Sequence, residues 1–234
     1  MGLIKFSAVV GAASGKIGGN VFARNASGAY VRTFTMPINP NTTKQQGVRT
    51  DFADLISSWK SLTAAKQQAW EDMAPQYPYT NRLGESSQYT GQQLYNHLNM
   101  NLKTVGATIL DTPLVPETFS TTSLTSLTMV DTAGVLTTAD VLLSAVGAAT
   151  ESVIINVTTS MSGGITKPAK GAFKQVTIVA DASASATLDI IVPYQTLYGD
   201  PQLGTNVFTR VFLINTNTGQ RLNLGQALAT VTGT

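Results

Sequence analysis

Val207-Phe-Thr-Arg-Val-Phe-Leu-Ile214 is a run of β-branched and aromatic residues that decides the fold of the C-terminal half. Similar runs lie at residues 153–157, 176–179 and 188–192, and weaker ones at 124–130, 135–143 and 222–231. Turn formers separate them: Asp131-Thr-Ala-Gly134, Gly163-Gly164, Gly199-Asp-Pro201 and Asn217-Thr-Gly219. About seven antiparallel strands in roughly 115 residues are typical of an immunoglobulin-like or fibronectin-like β-sandwich. We therefore expect a β-sandwich domain over residues 117–234.

Upstream of these strands, residues 41–107 have the pattern of a three-helix module. Thr42-Thr-Lys-Gln45 and Thr90-Gly-Gln-Gln93 each have the form of a capping box, and Thr63 resembles a third N-cap. Apolar side chains follow at helical spacing: Val48, Phe52, Leu55, Ile56, Trp59 and Leu62, then Ala65, Ala69, Trp70 and Met73, then Leu94, Tyr95, Leu98 and Leu102. Residues 108–116 contain prolines and are predicted to be a linker.

The N-terminal residues 1–40 are predicted to form a β-hairpin arm. Two strand-like runs, at residues 21–24 and 29–34, flank the turn candidate Asn25-Ala-Ser-Gly28. The glycine-rich stretch Ser14-Gly-Lys-Ile-Gly-Gly19 precedes them as a flexible approach. An isolated two-stranded hairpin is marginally stable in water, so we expect a partner surface to cover the arm. The whole chain is then of the α+β class: a hairpin arm, a helical module and a sandwich.

The charge is unevenly distributed. Charged residues make up only 12% of the 234 residues, about half the usual fraction. Residues 1–103 have a net charge of +5 and residues 104–234 of −3, and the first fifty residues hold six basic side chains and no acid. Such an arm suits nucleic acid or an acidic protein surface, and a solvated hairpin with basic rims is the alternative.

Catalytic chemistry finds little support in the sequence. The absence of Cys excludes thiol nucleophiles and thiolate metal sites, and the single His97 cannot build a multi-histidine zinc site. Gly11-Ala-Ala-Ser-Gly-Lys16 is one residue short of a phosphate-binding loop and lacks the following Ser or Thr. The carboxylate pairs Asp51 with Asp54 and Glu71 with Asp72 have the character of exposed helix charges. We predict no enzyme activity, cofactor or metal.

Aromatic residues in the loop at 77–89 are candidates for an interface. Tyr and Arg are enriched at protein interfaces, and stacking on sugars or bases is the less favoured alternative. With the arm, the predicted interface residues are Lys16, Arg24, Tyr30, Arg32, Tyr77, Tyr79, Arg82 and Tyr89.

Several N-terminal phrases occur together in a known context. These are Ser14-Gly-Lys-Ile-Gly-Gly19, Phe22-Ala-Arg-Asn25, Gly28-Ala-Tyr-Val-Arg32, Pro37-Ile-Asn-Pro-Asn-Thr-Thr-Lys-Gln-Gln46, and Trp59 and Leu62-Thr63 followed by Trp70. Over roughly residues 10–102 the chain resembles a family of proteins of undefined role encoded by bacteriophages and prophage-like regions, and its C-terminal part resembles the variable β-sandwich domains that they often carry. The resemblance implies a particle protein and no catalytic residues.

Together these observations predict a non-enzymatic virion structural protein, repeated in the head-to-tail neck, as a ring or connector, or in the tail. Expected partners are copies of itself and portal, tail or capsid proteins, with possible arm contact to nucleic acid and none to membrane. A capsid decoration or fibre-anchoring protein is the nearest alternative. A glycan-binding or nucleic-acid-binding module is an alternative of another class. The chain has no signal-peptide pattern at its start, so we expect synthesis in the host cytoplasm and residence in the virion.

Overall fold

The computed structural model describes residues 2–3, 13–25, 28–36, 39–80 and 86–233. It divides into two compact units, Met1–Gln46, here the N-terminal unit, and Gly47–Thr234, here the body. The predicted mixed α+β class is confirmed. The helices are α1 Thr43–Ser61, α2 Ala64–Met73, α3 Gly91–Val105 and α4 Ile191–Tyr198. The strands are β1 Gly2–Leu3, β2 Gly15–Ile17, β3 Asn20–Asn25, β4 Gly28–Thr33, β5 Tyr79–Thr80, β6 Ser86–Ser87, β7 Leu124–Thr132, β8 Val135–Leu143, β9 Glu151–Val157, β10 Lys174–Val179, β11 Thr187–Asp189, β12 Asn206–Asn215, β13 Arg221–Thr230 and β14 Thr232–Gly233.

The N-terminal unit is built on an antiparallel sheet with the strand order β1-β4-β3-β2. The predicted hairpin is confirmed, because β3 pairs with β4 from Asn20 opposite Thr33 to Asn25 opposite Gly28. The stretch expected to be a flexible approach instead supplies β2, which pairs with β3. The turn between them is possible because Gly18 has a φ of +57°, which glycine adopts without a steric penalty.

The three predicted N-caps are confirmed. The hydroxyl oxygens of Thr42 and Thr63 each accept a hydrogen bond from the backbone N–H three residues later, at 3.4 Å. Thr90 forms a complete capping box, in which its own N–H also donates to Gln93 Oε1 at 3.1 Å. These caps satisfy amides that the first turn of a helix leaves without partners, so the short threonine motifs fix where each helix begins.

The helices share a small aromatic core. Trp70 and Tyr95 are fully buried and meet edge to face, with ring centroids 5.3 Å apart, and Leu55 and Leu94 pack in the same cluster. The predicted apolar face of α1 is buried only in its second half. Val48 and Phe52, two turns and one turn before Leu55, remain exposed.

The segment 108–116, predicted to be a linker, is held against the helices by hydrogen bonds. Trp70 Nε1 donates to the Asp111 carbonyl at 2.9 Å, and the amide of Asn99, a fully buried side chain, exchanges two bonds with Leu110. Burying these polar groups without partners would cost free energy, so the segment is part of the helical packing.

Two four-stranded sheets build the rest of the body. Their strand orders are β10-β9-β12-β13 and β11-β8-β7-β14. Alternate residues on β9 and β12, such as Val153 and Val211, point into a core that also contains Met129 and Val141 of the other sheet. Of the eight strands β7–β14 in these two sheets, seven lie on the runs named above from the sequence, and the short β14 was not predicted. The strand expected at residues 188–192 is wrong in its second half, where α4 begins at Ile191. A short apolar run does not by itself distinguish a strand from a buried helical turn.

Helix α3 is joined to the turn between β12 and β13. Asn101 Nδ2 donates to the Gly219 carbonyl at 2.9 Å, across 118 residues of sequence. Gly219 has a φ of +74°, and a Cβ at this position would clash with the Leu98 carbonyl oxygen. Only glycine permits both the left-handed turn and this close approach, so helices and sheets pack as one unit.

The contact predicts a large effect of Gly219→Ala. The substitution introduces left-handed strain of about 1–3 kcal/mol and a steric clash of similar size, both of which lower the free energy of unfolding. Gly204→Ala is the matched control, because Gly204 has a φ of +73° and open space around the added Cβ. Chemical denaturation should show a clearly larger loss for Gly219→Ala. Equal losses would show that the α3 contact contributes nothing beyond backbone strain.

Candidate interaction surfaces

A column of three stacked rings crosses the helical part of the body. The Tyr79 and Tyr89 rings lie 4.4 Å apart at 30°, and the Tyr89 and His97 rings lie 5.3 Å apart at 20°. Tyr79 is on β5, Tyr89 directly precedes the Thr90 cap, and His97 is on the exposed side of α3. Tyr79 and His97 both stack on the Tyr89 ring. The outer side of Tyr79 and the edge of His97 therefore remain available to a ligand.

Arg221 of β13 lies beside this column. Its guanidinium carbon is 3.7 Å from the centroid of the Phe212 ring, and on the same sheet Arg210 lies 4.2 Å from the Phe173 ring. A cation over an aromatic face is attracted by the negative π-surface, which favours this position of each guanidinium group. The pKa of Arg221 is lowered, first by loss of hydration and second by the positive charge of Arg210.

The column and Arg221 line an open cleft of about 320 Å³, here called the aromatic cleft. Its lining residues are Gln76, Tyr77, Pro78, Tyr79, Tyr89, His97, Leu98, Phe119, Gln220 and Arg221. A second depression of about 450 Å³ continues from Tyr89, His97 and Arg221 to Phe52 and Met100. The exposed end of the α1 apolar face thus adjoins the cleft.

His97 is the only histidine of the chain, and its pKa is lowered. Displacement of water by the surrounding side chains is the larger cause, although the residue as a whole remains exposed, and the positive charge of Arg221 is the second. The imidazole is therefore neutral at pH 7, with the hydrogen-bonding capacity of one donor and one acceptor.

The predicted loop residues do not all reach this surface. Tyr77 was expected to be exposed, but it is 8% exposed and its hydroxyl donates to the Leu114 carbonyl at 2.8 Å. Burial, with the charge of Glu117 as the second cause, raises the pKa of Tyr77 to about 12. Tyr77 nevertheless remains one of the residues that line the cleft. Tyr79 is exposed, Tyr89 is half-buried, and Arg82 lies outside the described residues.

The four predicted arm residues divide between the two faces of the N-terminal sheet. Lys16, Val21 and Arg32 are directly opposite one another on β2, β3 and β4, so their side chains share a face. Tyr30 lies two residues from Arg32 and joins that face, whereas Arg24 points to the other. Lys16 Nζ also lies 3.7 Å from the centre of the Phe34 ring.

The candidate carboxylate pairs are held in structural contacts. Lys103 Nζ lies 3.2 Å from Asp51 and 3.1 Å from Asp54, and Glu71 accepts the Gly91 N–H at 2.8 Å. Within the described residues, no group of three or more His, Asp or Glu side chains has a metal-binding arrangement. No helix in the described part of the chain is long and apolar enough to cross a membrane.

Comparisons with known proteins give no relative for this fold and surface: no family model, curated protein or solved structure matches the chain. His97 and Arg221 were not predicted to share a site, and they are 124 positions apart in the sequence. Their meeting depends on the packing of α3 against the β12–β13 turn, for which neither residue carries a local signal.

The lowered pKa predicts that His97 reduces stability in acid. Because the unfolded chain has the higher pKa, about 6.5, it takes up the proton first, and the folded state loses stability as the pH falls through that value. His97→Gln should therefore show a smaller decrease in Tm between pH 7.5 and 5.5 than the wild type. The Tm of each protein at pH 8, where His97 is neutral, serves as the reference for its decrease in acid. An unchanged pH dependence in the variant would contradict the prediction.

Proposed function

We propose that this protein is a non-enzymatic structural protein of a bacteriophage particle, which assembles as repeated copies in the head-to-tail neck or in the tail. The observation that carries the proposal is an N-terminal sheet without a core. Among the described residues 13–25, 28–36 and 39–46, every side chain given a burial class is exposed or half-buried. The phage context rests on the sequence resemblance given above.

The N-terminal sheet exposes apolar side chains as well as backbone. Ile17 is 69% and Met36 76% exposed, and Phe34 is also exposed. A single layer of sheet has no second layer with which to bury such groups, and each buried apolar side chain would stabilise the fold by about 1.5–3 kcal/mol. A surface that covers this sheet would therefore gain free energy, which favours assembly over an isolated chain.

Charge favours a second copy as the covering surface. Residues 1–46 contain five basic side chains and no acidic one, whereas residues 47–234 contain ten basic and thirteen acidic, a net charge of −3. The N-terminal unit of one copy and the body of the next attract each other. Because the two contact surfaces differ, such an interface is heterologous, and repeated around an axis it closes into a ring.

The strand order supports the proposed immunoglobulin-like or fibronectin-like sandwich. Named A, B, C, C′, E, F and G in chain order, strands β7–β13 give one sheet A-B-E and one sheet C′-C-F-G. Immunoglobulin-type domains likewise keep A, B and E apart from C, F and G. The added helix α4, between the fifth and sixth strands of this series (E and F), departs from the simplest form.

Capsid decoration or fibre anchoring uses the same assembly logic and remains the nearest alternative. Nucleic-acid binding has one specific observation in its favour, the shared face of Lys16, Tyr30 and Arg32. A glycan-binding module has less support, because Tyr89, which lies inside the ring column, offers no free face to a sugar.

Charge reversal on the N-terminal unit tests the proposal in the full-length protein. We expect the wild type to form oligomers in sedimentation velocity experiments, and the double variant Lys16→Glu/Arg32→Glu to sediment mainly as monomer. Lys60→Glu/Lys167→Glu is the matched control, with the same charge change on exposed body residues.

A wild-type chain that stays monomeric at high concentration, and is absent from purified particles by mass spectrometry, would overturn the proposal. Tight binding to duplex DNA that weakens steeply with salt, and is lost in the Lys16/Arg32 variant alone, would favour the nucleic-acid alternative.

A further inference from the structure

We propose that the aromatic cleft is a docking site for an acidic segment of another protein, in which Arg221 binds a carboxylate and Tyr79 packs against the neighbouring side chain. The inference concerns the body alone and goes beyond assembly through the N-terminal unit. It rests on the ring contacts of Arg221 and Arg210 and on the lack of an ion pair between either arginine and a described carboxylate.

Arg221 and Arg210 are positioned without an anionic partner. Neither forms an ion pair with a described carboxylate: Lys66 and Lys103 are the cations that Asp111, Asp51 and Asp54 bind. Arg210 donates to the neutral Gln226 Oε1 at 3.2 Å. Each guanidinium instead lies over a ring, Arg221 on Phe212 and Arg210 on Phe173. The positive charges of Arg210 and Arg221 repel each other, and an anion bound at Arg221 would relieve that repulsion.

Arg221 is exposed, and none of its side-chain hydrogen bonds goes to a described acceptor. The N–H groups of a guanidinium form a planar fork, so a carboxylate in that plane can accept two of them. His97 and Gln220 are on the same cleft wall and offer further hydrogen bonds. The pairing is directional, and it needs only one carboxylate in the correct place.

A protein segment fits this surface better than a polyanion or a sugar. The body has a net charge of −3, which repels nucleic acid at long range, whereas a single carboxylate in the cleft is attracted by Arg221. Stacking of Tyr89 between two rings leaves the outer side of Tyr79 as the one face of the column's two tyrosines on which a sugar could stack. Exposed apolar groups continue from the cleft to Phe52, and they suit the aliphatic or aromatic side chains of a peptide.

The chain contains its own reporter of this site. His97 is its single histidine, so the carbon-bound imidazole protons give one resonance set in nuclear magnetic resonance spectra, and that set comes from the cleft. Among the described residues, Tyr89 stacks on His97 with Tyr79 behind it, and Arg221 of β13 is the charged group that acts on the imidazole. A bound carboxylate beside Arg221 would offset the positive charge and raise the pKa of His97.

The experiment titrates the full-length protein with the capped peptide Asp-Glu-Tyr-Glu-Asp-Glu and with its Asn/Gln counterpart. We expect the acidic peptide to shift the His97 resonances and raise the pKa of His97, and the amide peptide to do neither. Arg221→Gln should weaken binding by at least about tenfold, as expected for loss of a charge-assisted hydrogen bond. Arg221→Lys should retain part of the affinity, because it keeps the charge but not the fork.

Lys60→Gln is the matched control, since it removes one exposed positive charge away from the cleft and should bind as the wild type does. Equal shifts with the amide peptide, wild-type affinity in Arg221→Gln, or tighter binding of oligothymidylate or glucuronic acid than of the acidic peptide would each overturn the proposal. The comparison of the two peptides uses the wild type only, so the test holds even where a variant fails to fold.

Discussion

The close approach of the Leu98 carbonyl to Gly219 is the constraint on which the body depends. A side chain at position 219 would collide with the backbone of α3, and the turn requires a positive φ that other residues adopt only with strain. The Asn101 side chain then binds the Gly219 carbonyl across the same junction. Through this contact the helices of the body and its two sheets form one packed unit. The cleft exists because the junction fixes α3 beside β13.

The N-terminal unit is held together by strand pairing and not by a buried core. It has strand pairing and an aromatic–cation contact, but no described side chain in it is buried. Backbone hydrogen bonds hold a sheet together without deciding which surface it rests on. The free energy still available from Ile17, Phe34 and Met36 must come from another surface, which is why we place assembly, and not catalysis, at the centre of the proposed function.

Local chemistry made the helices and most strands predictable. A threonine whose hydroxyl accepts the backbone N–H three residues later marks the start of a helix, so four residues of sequence are enough to predict it. All three predicted starts are present. The region at 188–192 failed because its signal is apolar composition alone, and Ile191 onward is helical with Pro193 in the first turn, where proline is tolerated. The exposed first half of the α1 stripe shows the same limit: spacing predicts a face, but a partner element has to be present to bury it.

The candidate sites divide in the same way. The sequence by itself determined the basic, acid-free character of the N-terminus, the absence of thiol chemistry and the clustering of tyrosines at 77–89, because these depend only on which residues are present. The tertiary structure decided that Tyr77 is buried, that Lys16 and Arg32 share a face, and that His97 and Arg221 meet in one cleft. Such meetings depend on strand register and on one glycine contact between residues far apart in the chain, and no local pattern encodes them.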